Sequence, residues 1–178
     1  MRAWKIAALT TVVMVLTAGA ASAGGDGYKH YRGRTSQSAP FNVLLHKHGT
    51  VVRLDRLSFG AILTCDDQTT QQWGVGIGWY PHGPALADRV LTIDEVSPFD
   101  ALHISGHVGP LHGRGHMAFS VPEFTADEQV QLCTTGDVTW SVHRSDLTAA
   151  SAGPGVDGTI LITIAPDGTA KVKVKPAA

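Results

Sequence analysis

The 178-residue chain carries 14 Lys and Arg against 15 Asp and Glu, a formal net charge of −1, with two cysteines and nine histidines. A near-neutral chain with no basic stripe along its sequence argues against nucleic acid or an anionic membrane surface as the partner.

Residues 1–23 read as a signal peptide. Arg2 and Lys5 supply the positive start, Ile6 to Leu16 an apolar run broken only by Thr10 and Thr11, and Ala21-Ser22-Ala23 an A-x-A cleavage pattern. The apolar run is short of the roughly 20 residues that span a bilayer, which argues against a retained anchor. No Cys stands at the cleavage point to take a lipid. The expectation is a secreted, extracellular protein whose mature chain, about 155 residues long, makes one domain. Removal of Arg2 and Lys5 leaves that domain slightly more acidic.

Beyond Gly24 the apolar residues alternate with period two, the pattern of strands with one buried face. Irregular strands are expected at Tyr28–Thr35 and Pro40–Lys47. Leu57, Phe59, Ala61, Leu63 and Cys65 share one face of the next strand, with Ile62 as the exception. Trp73, Val75, Ile77 and Trp79 alternate with Gln72 and three glycines, and an irregular strand follows at Arg89–Val96. Leu102, Ile104 and Val108 alternate with polar residues, as do Met117, Phe119 and Val121, and then Val138, Trp140 and Val142. The breaks hold turn residues, among them Gly49, Pro81–Pro84, Gly109-Pro110 and Gly136. Phe124–Val130 has room for one helical turn, with Thr125 and Glu128 as a capping pair.

The fold class expected is all-β, an antiparallel sandwich or barrel. Residues 24–144 form the domain. Residues 145–158, rich in Ala, Ser and Gly, read as a flexible linker. Residues 159–178 read as a C-terminal β-hairpin around Pro166-Asp167-Gly168, with Lys171, Lys173 and Lys175 on its outer strand. An isolated hairpin is marginal in water, so it is expected to dock on the domain or on a partner. In an exported chain, Cys65 and Cys133 are expected to form one disulfide. They lack the C-x-x-C spacing of a redox pair or zinc knuckle. Closing this loop contributes about 4 kcal/mol on the chain-entropy account.

Three segments, Tyr31-Arg32-Gly33-Arg34-Thr35-Ser36-Gln37, Cys65-Asp66-Asp67 and Cys133-x-x-Gly136-x-Val138-x-Trp140, resemble small secreted actinobacterial proteins. Those open with aromatic-x-G-x-T-S-Q and close with C-x-x-G-x-V-x-W. The resemblance spans about residues 28–144 and implies an exported β domain with a Cys–Cys bridge. It implies no activity. His112-Gly113-Arg114-Gly115-His116 departs from it, where the family more often has a Gly-Thr-Leu-Arg-like stretch.

All nine histidines lie beyond the signal segment. His103 and His107 share one polar strand face, and His112 and His116 share the next. A hairpin turn at Gly109–Gly113 sets His116 across from or diagonal to His107. His103, His107 and His116 are therefore the candidate metal ligands, with zinc or copper as the ion. Solvated histidines are the plainer account, since no carboxylate or Cys visibly completes the shell. His46 and His48 form a second H-x-H. No other cofactor is read from the chain.

No G-x-S-x-G elbow or paired-carboxylate pattern marks a catalytic site. The tryptophans read as core, and Tyr80-Pro81-His82 as a strand end open to a ligand. The function expected is a non-enzymatic exported domain binding a protein or envelope component. The alternatives are surface metal binding through histidines and a small secreted hydrolase.

Overall fold

A computed structural model describes residues 25–94, 101–124, 130–145, 158–165, 167 and 169–176. The signal segment, residues 125–129 of the helical turn expected over Phe124–Val130 and nearly all of the linker lie outside the described residues, while Phe124 and Val130 themselves belong to strands.

The described residues form eleven strands: β1 (Gly27–Thr35), β2 (Pro40–His48), β3 (Val51–Cys65), β4 (Thr70–Trp79), β5 (Val90–Asp94), β6 (Ala101–Val108), β7 (His112–Phe124), β8 (Val130–Thr134), β9 (Val138–Ser145), β10 (Gly158–Ile164) and β11 (Ala170–Pro176). Six of them, in the order β3-β2-β1-β9-β7-β8, close into an antiparallel barrel, because β8 pairs with both β3 and β7. Of the two architectures that fit the strand pattern, the protein is the barrel. On its flanks, β4 extends from β3, while β6 and β5 extend from β7.

The C-terminal hairpin docks on β4. β10 runs parallel to it, with Ile160 opposite Val75 and Ile162 opposite Ile77. Parallel neighbours need a long connection, and β4 and β10 are far apart in the chain. The hairpin covers the β4 edge and leaves the exposed Lys171 and Lys173 on the new outer strand, where charge opposes further pairing.

Period-two alternation sends one set of side chains into the barrel, including Tyr31, Phe41, Leu57, Leu63, Ile104, Phe119 and Trp140. Trp140 lies flat on Phe41, ring centroids 4.7 Å apart, and donates its indole N–H to the His116 carbonyl. Phe119 meets Phe59 edge-on at 5.8 Å. Trp140 is core, as expected, whereas Trp73 and Trp79 are half-buried at the core margin.

Closing the ring leaves two long strands with surplus backbone. On one edge β3, 15 residues long, pairs with β2 as far as Phe59 and with β8 only from Thr64. The Gln37 side-chain amide bridges the gap. It donates to the Ile62 carbonyl at 2.8 Å and accepts from the Ile62 amide at 3.0 Å, standing in for a strand. β7 has the same gap between its β9 and β8 pairings, and Thr135 bridges it by bonding both backbone groups of Phe119. At the seam Cys65 and Cys133 are direct cross-strand partners joined by the disulfide.

Local bonds fix the turns. The Asp67 carboxylate accepts from the hydroxyl and the amide of Thr69, and Asp167 accepts from the Thr169 amide. Those bonds hold both carboxyls below the ordinary range.

Gln37→Ala removes both bonds to Ile62 with little loss of apolar burial. Urea unfolding is expected to show a loss of about 1–2 kcal/mol. An unchanged midpoint would mean that Gln37 does not brace the seam.

Candidate metal centre

β3 is irregular at one point. Val52, Leu54 and Leu57 are all buried, so the inward phase slips by one residue between Leu54 and Leu57. The slip is a β-bulge. Leu45 of β2 faces Leu54 and Leu44 faces Arg56, which leaves Asp55 as the extra residue.

A strap covers the bulge on the other edge of β3. After β4 the chain passes through the cis Tyr80-Pro81 bond, and residues 82–86 run beside the first half of β3. Leu54 donates to the Pro84 carbonyl, Leu86 donates to the Val52 carbonyl, and the Arg53 guanidinium donates to the Gly83 carbonyl. The approach is so close that a Cβ on Gly83 would lie 1.6 Å from the Leu54 carbonyl oxygen. Glycine is the residue that permits this contact, and the contact sets His82 above Asp55.

The result is a three-residue cluster from three elements: His46 on β2, Asp55 in the bulge and His82 on the strap, their donor atoms all within 4.8 Å of one another. The Asp55 side chain is only 9% exposed, while His82 is 45% exposed. Asp55 Oδ1 is buried without a hydrogen-bond partner. It lies 3.8 Å from His82 Nδ1, too far for a hydrogen bond. The two imidazoles stack at 5.1 Å, and Tyr28 stacks on the outer face of His46 at 4.8 Å. Ring stacking accounts for the histidines. It gives no account of the bare carboxylate beneath them.

Donors around a tetrahedral zinc ion at about 2.0–2.1 Å stand roughly 3.3 Å apart. The trio's donor atoms, within 4.8 Å of one another, would have to close by up to about 1.5 Å to reach that spacing. The donor set suits zinc and other divalent transition ions.

The histidines singled out by sequence lie elsewhere. Their register agrees with the reading, since His116 faces Ser105 and is therefore diagonal to both His103 and His107. Their partners differ. His103 is bonded to Asp94 of β5, and His116 lies 3.3 Å from Asp137. The trio His46, Asp55 and His82 is the group within reach of one ion among the described residues; His103, His107 and His116 do not form one. His48, paired with His46 in the H-x-H reading, instead approaches Asp26 at 3.5 Å.

Asp55 was missed because bulged residues fall outside either strand periodicity. The phase slip from Leu54 to Leu57 was the available signal.

The chain matches no protein-family model, no curated protein and no solved structure. The site therefore rests on its own geometry.

Gly83→Ala is expected to cost about 1–3 kcal/mol in thermal or urea unfolding, because the strap must lift away from Leu54. Wild-type stability in this variant would show that the strap does not depend on that approach.

Proposed function

We propose that the protein is an exported, non-enzymatic β-barrel that binds a divalent transition-metal ion, with zinc the best match, through His46, Asp55 and His82. The observation that carries this reading is the Asp55 carboxylate: nine-tenths buried, one oxygen unpartnered, facing two imidazoles at a separation suited to a shared ion. A buried carboxylate oxygen without a partner is costly, and native structures retain such groups where an ion or a reaction uses them. The ion would supply the missing partner and tie the strap to the β2–β3 ladder.

Export is supported by the leader pattern and by the disulfide, a bond that persists in oxidising compartments. No helix among the described residues is long and apolar enough to cross a membrane.

A second reading has one observation in its favour. Three protein ligands and a partly exposed His82 would leave an ion one open position, as in hydrolytic zinc sites. The secreted hydrolase is that reading, and ester or peptide turnover by the zinc-loaded protein would establish it.

Zinc added to chelator-treated protein at about 100-fold over its dissociation constant is expected to raise the melting temperature by about 5–10 °C, the shift that corresponds to about 2.7 kcal/mol. His82→Ala and Asp55→Asn should abolish the shift, and His103→Ala should leave it intact. No zinc-dependent shift in the wild type, or an equal shift in all three variants, would refute the site.

A further inference from the structure

The sheet assembles a charge pattern that the sequence scatters. Outward positions on adjacent strands can be followed across the register. Lys173 faces Leu161, which faces Gly76; the line continues through Ser58, Asn42, Arg32 and His143 to His112. Two residues along, Arg34 faces Ser141, which faces Arg114 and then His107. On the other side of the first line, Lys171 faces Thr163, followed by Gly78 and Arg56. Six permanent cations (Arg32, Arg34, Arg56, Arg114, Lys171 and Lys173) thus stand on one outward sheet surface running from β11 to β7. Neighbouring strands lie about 4.8 Å apart, and successive outward positions on one strand about 6.8 Å apart.

None of the six forms an ion pair with a carboxylate of the described residues. Among the described residues the aspartates cluster at the ends of strands instead, and Glu123 stands next to the end of β7. Asp26, Asp66, Asp67, Asp88, Asp137 and Asp167 lie in turns or beyond strand termini, Asp94 ends β5, and Asp55 sits beneath the strap. A near-neutral chain therefore carries, among its described residues, a basic wall with aspartates toward its ends.

The wall is also grooved. Gly60, Gly74 and Gly76 leave a floor without side chains, and a cavity of about 720 Å³ runs over it from Arg32 and Arg34 to Leu161. A second cavity of about 660 Å³ continues from Arg34 to Arg114 and His107. Arg34 lines both.

We infer that this surface docks a linear acidic polysaccharide, a chain of sugars bearing carboxylates or sulfates. Charge complementarity selects a polyanion, because cations on four strands spread from β11 to β7, without ion pairs among the described residues, match repeated negative charge better than a single anion. Between the cations stand amide and hydroxyl side chains, Asn42, Ser58 and Ser141, suited to sugar hydroxyls. Among the described residues Trp140 is buried and Trp73 and Trp79 are half-buried against the core. The groove, although Trp73 lines it, therefore offers no row of exposed rings of the kind on which single-stranded nucleic acid stacks. The site is separate from the metal trio and does not depend on it.

The test measures binding of the mature protein to heparin, alginate, neutral dextran and duplex DNA, in the presence of EDTA so that metal plays no part. Heparin and alginate should bind at about 0.05 M salt and weaken at least tenfold at about 0.3 M, while dextran stays unbound. Arg32→Gln/Arg114→Gln should weaken binding at least tenfold, with melting curves confirming the fold. Lys29→Ala/Lys47→Ala, which removes the same charge elsewhere, should bind within about twofold of wild type. Failure to bind either acidic glycan, equal loss in the two double variants, or tighter binding of duplex DNA than of heparin would overturn the proposal.

Discussion

A barrel closes only if every strand in the ring finds backbone partners on both edges, and in this protein that requirement falls on β3 and β7. Each is longer than any neighbour on its ring edge, so each must be shared between two strands, with a gap where one partner ends and the next begins. An unpaired backbone group in a half-buried gap loses about the value of a hydrogen bond. Gln37 and Thr135 fill the two gaps, and the cross-strand disulfide holds the seam beside them.

That constraint gives physical meaning to the segments Tyr31–Gln37 and Cys133–Trp140. Tyr31 donates its hydroxyl to the Gly109 carbonyl, tying β1 to the β6–β7 turn. Gly33 lets β1 approach β9, since a Cβ there would lie 1.8 Å from the Ser141 oxygen. The Thr35 hydroxyl accepts from the Ala39 amide, and Ser36 bonds Thr139. Trp140 fills the barrel above Gly106 and Gly115. These residues build and close the barrel. None of them belongs to the metal trio, so a resemblance carried by them implies architecture and leaves chemistry to residues outside it.

Much of the fold was legible because its strands obey a simple period. Val138, Trp140 and Val142 announced β9, and the Ile160–Ile164 alternation announced the hairpin. β8 was not legible: in five residues its apolar Val130 and Leu132 are exposed and only Cys133 is buried. The first half of β3 was hidden by the bulge that creates the candidate site. The candidate site and the irregularity coincide there, since Asp55 is available to two histidines because it lies outside the regular ladder. The histidine face on β6 and β7 shows the complementary limit. Register placed the rings correctly, but Asp94 and Asp137, which engage two of them, come from a neighbouring strand and a turn that pairwise parity does not reach. The basic wall was invisible for a related reason: its cations come from four strands and are never adjacent in the chain.

The central claim is that the bulge and the strap together make a metal centre. Its most direct test is anomalous diffraction at the zinc edge from crystals of the zinc-loaded protein. The account predicts an anomalous peak bonded to His46, Asp55 and His82 at about 2.0–2.2 Å. A peak among His103, His107 and His116, or none at the bulge under full loading, would contradict it.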